Sequence, residues 1–368
     1  MIVLITNPVW QTYIFSAILL LALILSIRKR RDQEFFPIAA SQELKGFAIL
    51  TVIFVHVSYA LVSDSKFLNP LSIMSGVGVN LFLLLSGYGL VISALNKPMS
   101  VWQFYKYRLS KLYIPFWICL AAFFILDFFW LGRSYGLGYT VQSFLGFFNH
   151  ADLYVDINSP FWYFTWIVMY YLIFPWLLIK KAPWLSAILI YLLTLSFVKL
   201  EPHFVEQVMH LYKIHIIAFP LGLLLGWLVN FKAKEFFNQK IILFNSVKKN
   251  IWRAVTSVLL IIAILFLAKH SGVGERPLIE ETISIITCLA LIALFLIKRI
   301  EIKTLYWLGF FSYEIYMFHW PIMYRYDFLF KFLPAWLALA LYLVVFVGLA
   351  WLMRFIIQKT SAFFAKKA

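Results

Sequence analysis

Charge is scarce in this chain, and cysteine scarcer still. Only 13% of the 368 residues are charged and 63% are hydrophobic, whereas a soluble domain carries about 25% charged residues. So large an apolar excess excludes a water-soluble globular enzyme and leaves lipid as the solvent. The two cysteines, Cys119 and Cys288, both lie inside apolar runs. They read as small core residues, which excludes a disulfide framework, and no Cys/His cluster has zinc spacing, so no metal is expected. Carboxylates are few, 16 against 32 Lys and Arg, giving a net charge of +16. Nucleic acid is not the implied partner, because the basic residues stand in short loops between apolar runs, where they fix membrane orientation. An Asp-x-Asp metal site of the glycosyltransferase kind is missing; Asp152 and Asp156 are spaced too widely.

Long apolar runs are what the chain does have. They fall at about 9–27, 46–63, 76–95, 112–131, 160–179, 183–199, 212–230, 252–268, 278–297, 305–324 and 335–357, each near the roughly 20 residues that cross a bilayer. Lipid offers no partners to backbone amides, so the runs must be helical, and their continuity excludes the alternating segments of a β-barrel. The expected fold is an all-α integral membrane protein, a polytopic bundle of about ten to eleven transmembrane helices. Run one is too long for a signal peptide and precedes Arg28, Lys29, Arg30 and Arg31 instead of following them, so it reads as an uncleaved helix. Residues 1–41 are then an extra helix with a basic cytoplasmic loop, ahead of one continuous domain over 42–368.

Orientation follows from charge. With the loop at 28–45 in the cytoplasm and alternating spans, Lys97, Lys106, Arg108, Lys111, Lys180, Lys181, Lys232, Lys234, Lys240, Lys248, Lys249, Lys298, Arg299 and Lys303 all fall inside, as the positive-inside rule requires. The expected topology is N-terminus out and C-terminus in. The longest outer loop, about 132–159, holds Arg133, His150, Asp152 and Asp156, and a polar loop of that length is usually functional or disordered.

Ionisable groups inside spans are rare and point to function. Lys45 and His56 are eleven residues apart, about three helical turns, so they share a face with a rise of roughly 16–17 Å. A cation at the cytoplasmic mouth suits an anionic donor, and a deeper histidine suits a general base. The plainer alternative is a snorkelling lysine and a histidine bonded within the bundle. Arg108 and Lys111, on one face before Pro115, suit phosphate contact or an ordinary positive-inside flank. Ser312, Tyr316 and His319 recur at helical spacing and form one polar stripe. Glu314 points elsewhere and needs a buried partner or a proton; interhelical hydrogen bonding would explain the stripe equally well. Gly87 and Gly89, within Leu85-Ser86-Gly87-Tyr88-Gly89, allow close backbone approach or a local break, and such patches are mostly packing contacts.

Taken in order, these segments resemble the acyltransferase-3 family of membrane acyltransferases. Lys45, ten residues and His56 stand where that family opens with Arg, ten residues and His. Asn80 to Tyr88, Arg108 to Pro115, Phe161-Trp162-Tyr163 through Tyr170-Tyr171 to Pro175, and Ser312 to Pro321 look like its later blocks. The similarity runs over about 42–357. It implies transfer from cytoplasmic acyl-CoA, often acetyl-CoA, to a hydroxyl of a cell-envelope glycan, in the bacterial inner membrane. It implies that His56 is catalytic and that Lys45, Arg108 and Lys111 bind the CoA. Substrate contacts are expected from Ser86, Trp162, Tyr171, Ser312, Tyr313, Glu314, Tyr316 and His319, with His319, Tyr316 and Trp162 on the acceptor side. Two features depart from the pattern. Lys45 replaces an Arg, and Ile167 stands where many members carry a Glu, for which Glu314 is the candidate substitute. A flippase or transporter for a lipid-linked sugar is the competing reading, although the sequence has no inverted repeat. A structural partner in an envelope-synthesis complex is the third.

Overall fold

The computed structural model describes residues 5–30, 36–61, 67–230, 247–271 and 276–365. Arg31, Lys232, Lys234 and Lys240, counted above as cytoplasmic charges, lie outside these residues. The apolar runs all become helical. The order is α1 (Pro8–Leu25), α2 (Ile38–Leu61), α3 (Ser75–Asn96), α4 (Val101–Leu131), α5 (Leu137–Phe144), α6 (Trp162–Leu177) and α7 (Pro183–Leu200). Then come α8 (Met209–Lys213), α9 (Ala218–Leu228), α10 (Val247–Ala268), α11 (Pro277–Ile297), α12 (Lys303–Phe310), α13 (Ser312–Trp320) and α14 (Ala335–Ala365).

Among the described residues, eight helices are long and apolar enough to cross a membrane, and a bent pair makes nine. That pair joins His203–Lys213 to Ala218–Leu228 at 56°. The other two of the eleven expected spans are not single long helices. α6 is 16 residues, preceded by a 3-10 turn at Ser159–Phe161. The uninterrupted span expected over 305–324 is instead α12, α13 and a π turn at Pro321–Arg325. Its break falls at Phe311, two residues after a glycine pressed against α2, and its last turn begins at a proline that lacks an amide proton.

Small residues set the closest crossings, as expected where lipid removes the hydrophobic drive for helix association. A Cβ on Gly309 would lie 1.7 Å from the Gln42 carbonyl oxygen, and one on Gly46 would lie 1.9 Å from that of Leu305, so α12 and α2 touch backbone to backbone. α9 meets α3 the same way: a Cβ on Gly222 would fall 2.0 Å from the Leu84 oxygen, and one on Gly87 2.3 Å from that of Phe219. α4 is long, 31 residues or about 46 Å. It starts at a Ser100–Gln103 capping box and ends at Gly132 with φ of 63°, the left-handed geometry glycine adopts freely. Its first turns carry Lys106, Arg108 and Lys111 to the membrane boundary.

Two short strands tie distant parts of the chain together at that same boundary. β1 (Ile27–Lys29) pairs antiparallel with β2 (Ile300–Ile302), and Arg28 Nε bonds Glu301 at 2.6 Å. Beside them Glu43 accepts from Lys298 Nζ at 2.6 Å and from the Ile302 amide at 2.5 Å. Burial holds the Lys298 ammonium below the ordinary lysine range, against the attraction of Glu43. At the opposite boundary, buried Asp127 is bonded by Arg325, Tyr135 and Tyr326. This cluster fastens the loop after α4 to the end of the π turn.

Candidate active site

A cavity of about 760 Å³ runs through the bundle, from Lys45 and Arg108 near the β1–β2 boundary to His150, Ala151 and Asp152 in the loop after α5. It therefore touches segments from both boundaries of the bundle. Between them it is lined by His56, Ser86, Trp162, Tyr163, Tyr171, Ser312, Tyr313 and Tyr316.

At one end, α2 presents Lys45 and α4 presents Arg108. The guanidinium groups of Arg108 and Arg354 lie within electrostatic reach of Lys45. Arg354 is neutralised by Glu314, through Nε–Oε1 at 2.6 Å and Nη2–Oε2 at 2.9 Å. Among the described residues, no carboxylate pairs with Lys45 or Arg108, and the buried Nε of Arg108 has no acceptor. Two converging cations with an unsatisfied donor suit an anion with several oxygens, such as a phosphate. Lys111 stands outside the cavity lining, its ammonium bonding the Tyr107 hydroxyl at 2.6 Å in an exposed position.

Deeper in the cavity stands His56, whose Nδ1 is 2.9 Å from Nε2 of His319. The fully buried His319 turns its own Nδ1 to the carbonyl oxygens of Tyr316 at 2.8 Å and Ile315 at 3.1 Å. Carbonyls only accept, so His319 Nδ1 carries the proton and its Nε2, in the neutral ring, is an acceptor. His56 must then donate from Nδ1, which leaves the lone pair of its Nε2 for the cavity. A histidine fixed in one tautomer by a partner behind it is a general base or nucleophile in its active form.

Two aromatic hydroxyls expected at the site serve the wall. Tyr313 donates to the Leu112 carbonyl at 2.6 Å and Tyr316 to that of Pro160 at 2.8 Å. Ser86 and Tyr171 share a hydrogen bond of 2.8 Å, and Ser312 is buried beside them at the cavity. The structure thus brings Lys45, His56, Ser86, Arg108, Trp162, Tyr171, Ser312, Tyr313 and Tyr316 to one space. It leaves Lys111, Glu314 and His319 out of the lining. Ile167 lines the cavity as an apolar side chain, and Asp152 is the carboxylate among the described lining residues.

Three further histidines line the cavity, His150, His210 and His215. His215 lies at the bend between α8 and α9, stacks on Trp162 at 5.7 Å and 12°, and lines the cavity. Its Nδ1 is 2.8 Å from Asn80 Oδ1, and the amide of Asn80 donates to Ser284 Oγ at 2.8 Å. A histidine within an apolar run was the available signal. His150, known only as part of a polar loop, also lines the cavity, and its Nδ1 lies 2.5 Å from Asp156. Burial pushes the Asp156 carboxyl above the ordinary range, while the bond from His150 acts the other way.

The model of the acyltransferase-3 family, described as an acyltransferase domain, matches residues 43–355, from Glu43 through α14. The chain belongs to this family. No curated protein and no solved structure matches it. The acyltransferase places His56, Arg108, Trp162 and the Ser312–His319 segment within the matched region, while α1 and β1 precede it.

Proposed function

We propose that this acyltransferase moves an acyl group, acetyl in the simplest case, from cytoplasmic acyl-CoA to a hydroxyl of a cell-envelope glycan or lipid-linked sugar. The observation that carries this reading is one cavity joining two uncompensated cations, Lys45 and Arg108, to His56, whose Nδ1 is held by His319. The separation along α2, about 16 Å, suits a donor with an anionic head and a reactive group at the end of an extended arm. Phosphates would sit by Lys45 and Arg108, and the thioester carbonyl would reach His56. The histidine then takes a proton from the acceptor hydroxyl or carries the acyl group itself. Trp162 and Tyr316 would border the acceptor, as the amphipathic faces of aromatic rings suit a sugar.

The protein would sit in the bacterial inner membrane with the β1–β2 boundary in the cytoplasm, N-terminus out and C-terminus in. The excess of Lys and Arg in the loops of that boundary supports this orientation. The test is transfer of labelled acetyl from acetyl-CoA to envelope glycan in membranes, comparing the intact protein with His56→Ala at equal expression. Label that appears with the intact chain and vanishes with the variant supports the reading.

A second reading, a transporter for a lipid-linked sugar, draws on the two interrupted spans, at 214–217 and at Phe311. It needs no CoA. Sugar export without acetyl labelling would favour it.

A further inference from the structure

The loop between α4 and α6 is built around a buried carboxylate. Asp156 is 1% exposed. Its Oδ1 lies 2.5 Å from His150 Nδ1, and its Oδ2 accepts the Asp152 amide at 2.7 Å. Arg325 donates to its backbone carbonyl. The Tyr139 ring lies over the imidazole, 6.0 Å away and 17° from parallel, with its hydroxyl turned to Asp156 at 3.5 Å. The carboxylate fixes which nitrogen of His150 holds the proton. Nδ1 donates to Asp156, so in the neutral ring Nε2 has a lone pair, on a side chain that lines the cavity. An imidazole oriented by a buried carboxylate, on a side chain that lines a substrate space, is the arrangement of a general base. It occupies the end of the cavity opposite Lys45 and Arg108.

We propose that His150, oriented by Asp156, is a second acid–base residue of this acyltransferase and deprotonates the acceptor hydroxyl, while His56 handles the donor. The proposal rests on the acyltransfer reading above. In the first half, His56 Nε2 attacks the thioester carbonyl and the C–S bond breaks. CoA leaves as the thiolate and takes a proton from water at the Lys45 end, and His56 holds the acyl group as an acylimidazolium. In the second half, the acceptor oxygen attacks the acyl carbon as its proton passes to His150 Nε2. The C–N bond breaks, the ester leaves, His56 regains its lone pair, and His150 returns its proton to water at the Asp152 end. The proton taken up by CoA thus enters at the Lys45 end, and the one released by the acceptor leaves at the Asp152 end.

The experiment reads the two halves separately in membranes carrying the full chain. CoA release from acetyl-CoA reports the donor half, and labelled acetyl on envelope glycan reports the acceptor half. His150→Gln keeps a hydrogen-bonding amide but cannot act as a base. It is expected to lower glycan labelling by about 10²–10⁴-fold while CoA release in the first turnover persists. Asp156→Asn should shift the balance in the same direction. In His150→Ala, added imidazole should restore part of the labelling in a saturable way. Labelling within threefold of the intact chain in His150→Gln would overturn the proposal. So would a parallel loss of CoA release and labelling without imidazole rescue, the result of a pair that only pins the loop. An intact chain that releases no CoA would refute the acyltransfer reading itself, and the proposal with it.

Discussion

Both carboxylate oxygens of Glu314 are held by Arg354, the last arginine of α14, whose guanidinium also lies over the Phe310 ring at 4.0 Å. Glu314 therefore closes the back of α13 against α14, outside the cavity lining. Removing one partner of a buried pair costs about 3–5 kcal/mol, and Arg354 is 28% exposed, which lowers the figure. Glu314→Gln is expected to lose roughly 2–3 kcal/mol of stability, seen as a lower thermal midpoint in detergent. The protein that remains folded should keep its turnover within a few-fold. Lost turnover at an unchanged midpoint would instead make this carboxylate part of the chemistry, as the candidate substitute for the Glu that Ile167 replaces.

His319 governs the tautomer of His56, so its loss should reach the reaction without touching the cavity wall. In His319→Ala, acetyl transfer is expected to fall roughly 10²-fold or more, since a misoriented base forfeits most of what general-base catalysis contributes. His319→Gln, which returns an acceptor oxygen near the position of Nε2, should recover part of the rate. Equal rates for the two variants would refute the tautomer argument.

The cation pair makes a donor-side prediction. Lys45→Ala and Arg108→Ala should each raise KM for acetyl-CoA about 10- to 100-fold, the value of one charge-assisted bond. Lys45→Arg should bind as well as or better than the natural residue, because a guanidinium grips phosphate at two points. Lys111→Ala should change KM little. Titration of acetyl-CoA against transfer rate checks all four variants, and an unchanged KM in Arg108→Ala would move the donor elsewhere.

Two glycines in one motif have opposite expected tolerances. Gly87→Ala would drive a methyl to 2.3 Å from the Phe219 oxygen and force α3 away from α9, whereas nothing lies within 4 Å of a Cβ at Gly89. Gly87→Ala should sharply reduce folded protein on size exclusion in detergent, as should Gly309→Ala. Gly89→Ala should fold normally. Comparable yields from Gly87→Ala and Gly89→Ala would mean the α3–α9 crossing is looser than the structure has it.

Span positions were legible because lipid imposes one length on every helix, and no partner has to be known to read it. The Phe311 break was not, since it follows from the contact of Gly309 with the Gln42 carbonyl, 267 residues away by the numbering. In the site, spacing along a single helix revealed Lys45 and His56. Pairings across helices stayed hidden. His319, expected to face the acceptor, stands behind His56 across 263 residues of sequence. Glu314 was rightly expected to need a buried partner, yet nothing local names Arg354. Lys111 has the spacing of a phosphate ligand, but its neighbour Tyr107 holds it at the surface.

The strand pair β1–β2 joins residues separated by 273 positions, and the Glu43–Lys298 contact spans 255. During synthesis, the Lys45 end of the cavity thus lacks its clamp until residue 302 has left the ribosome. Until then the basic mouth stays unclamped, so a nascent or prematurely terminated chain has an unfinished cavity. The protein is in this respect made inert and armed last.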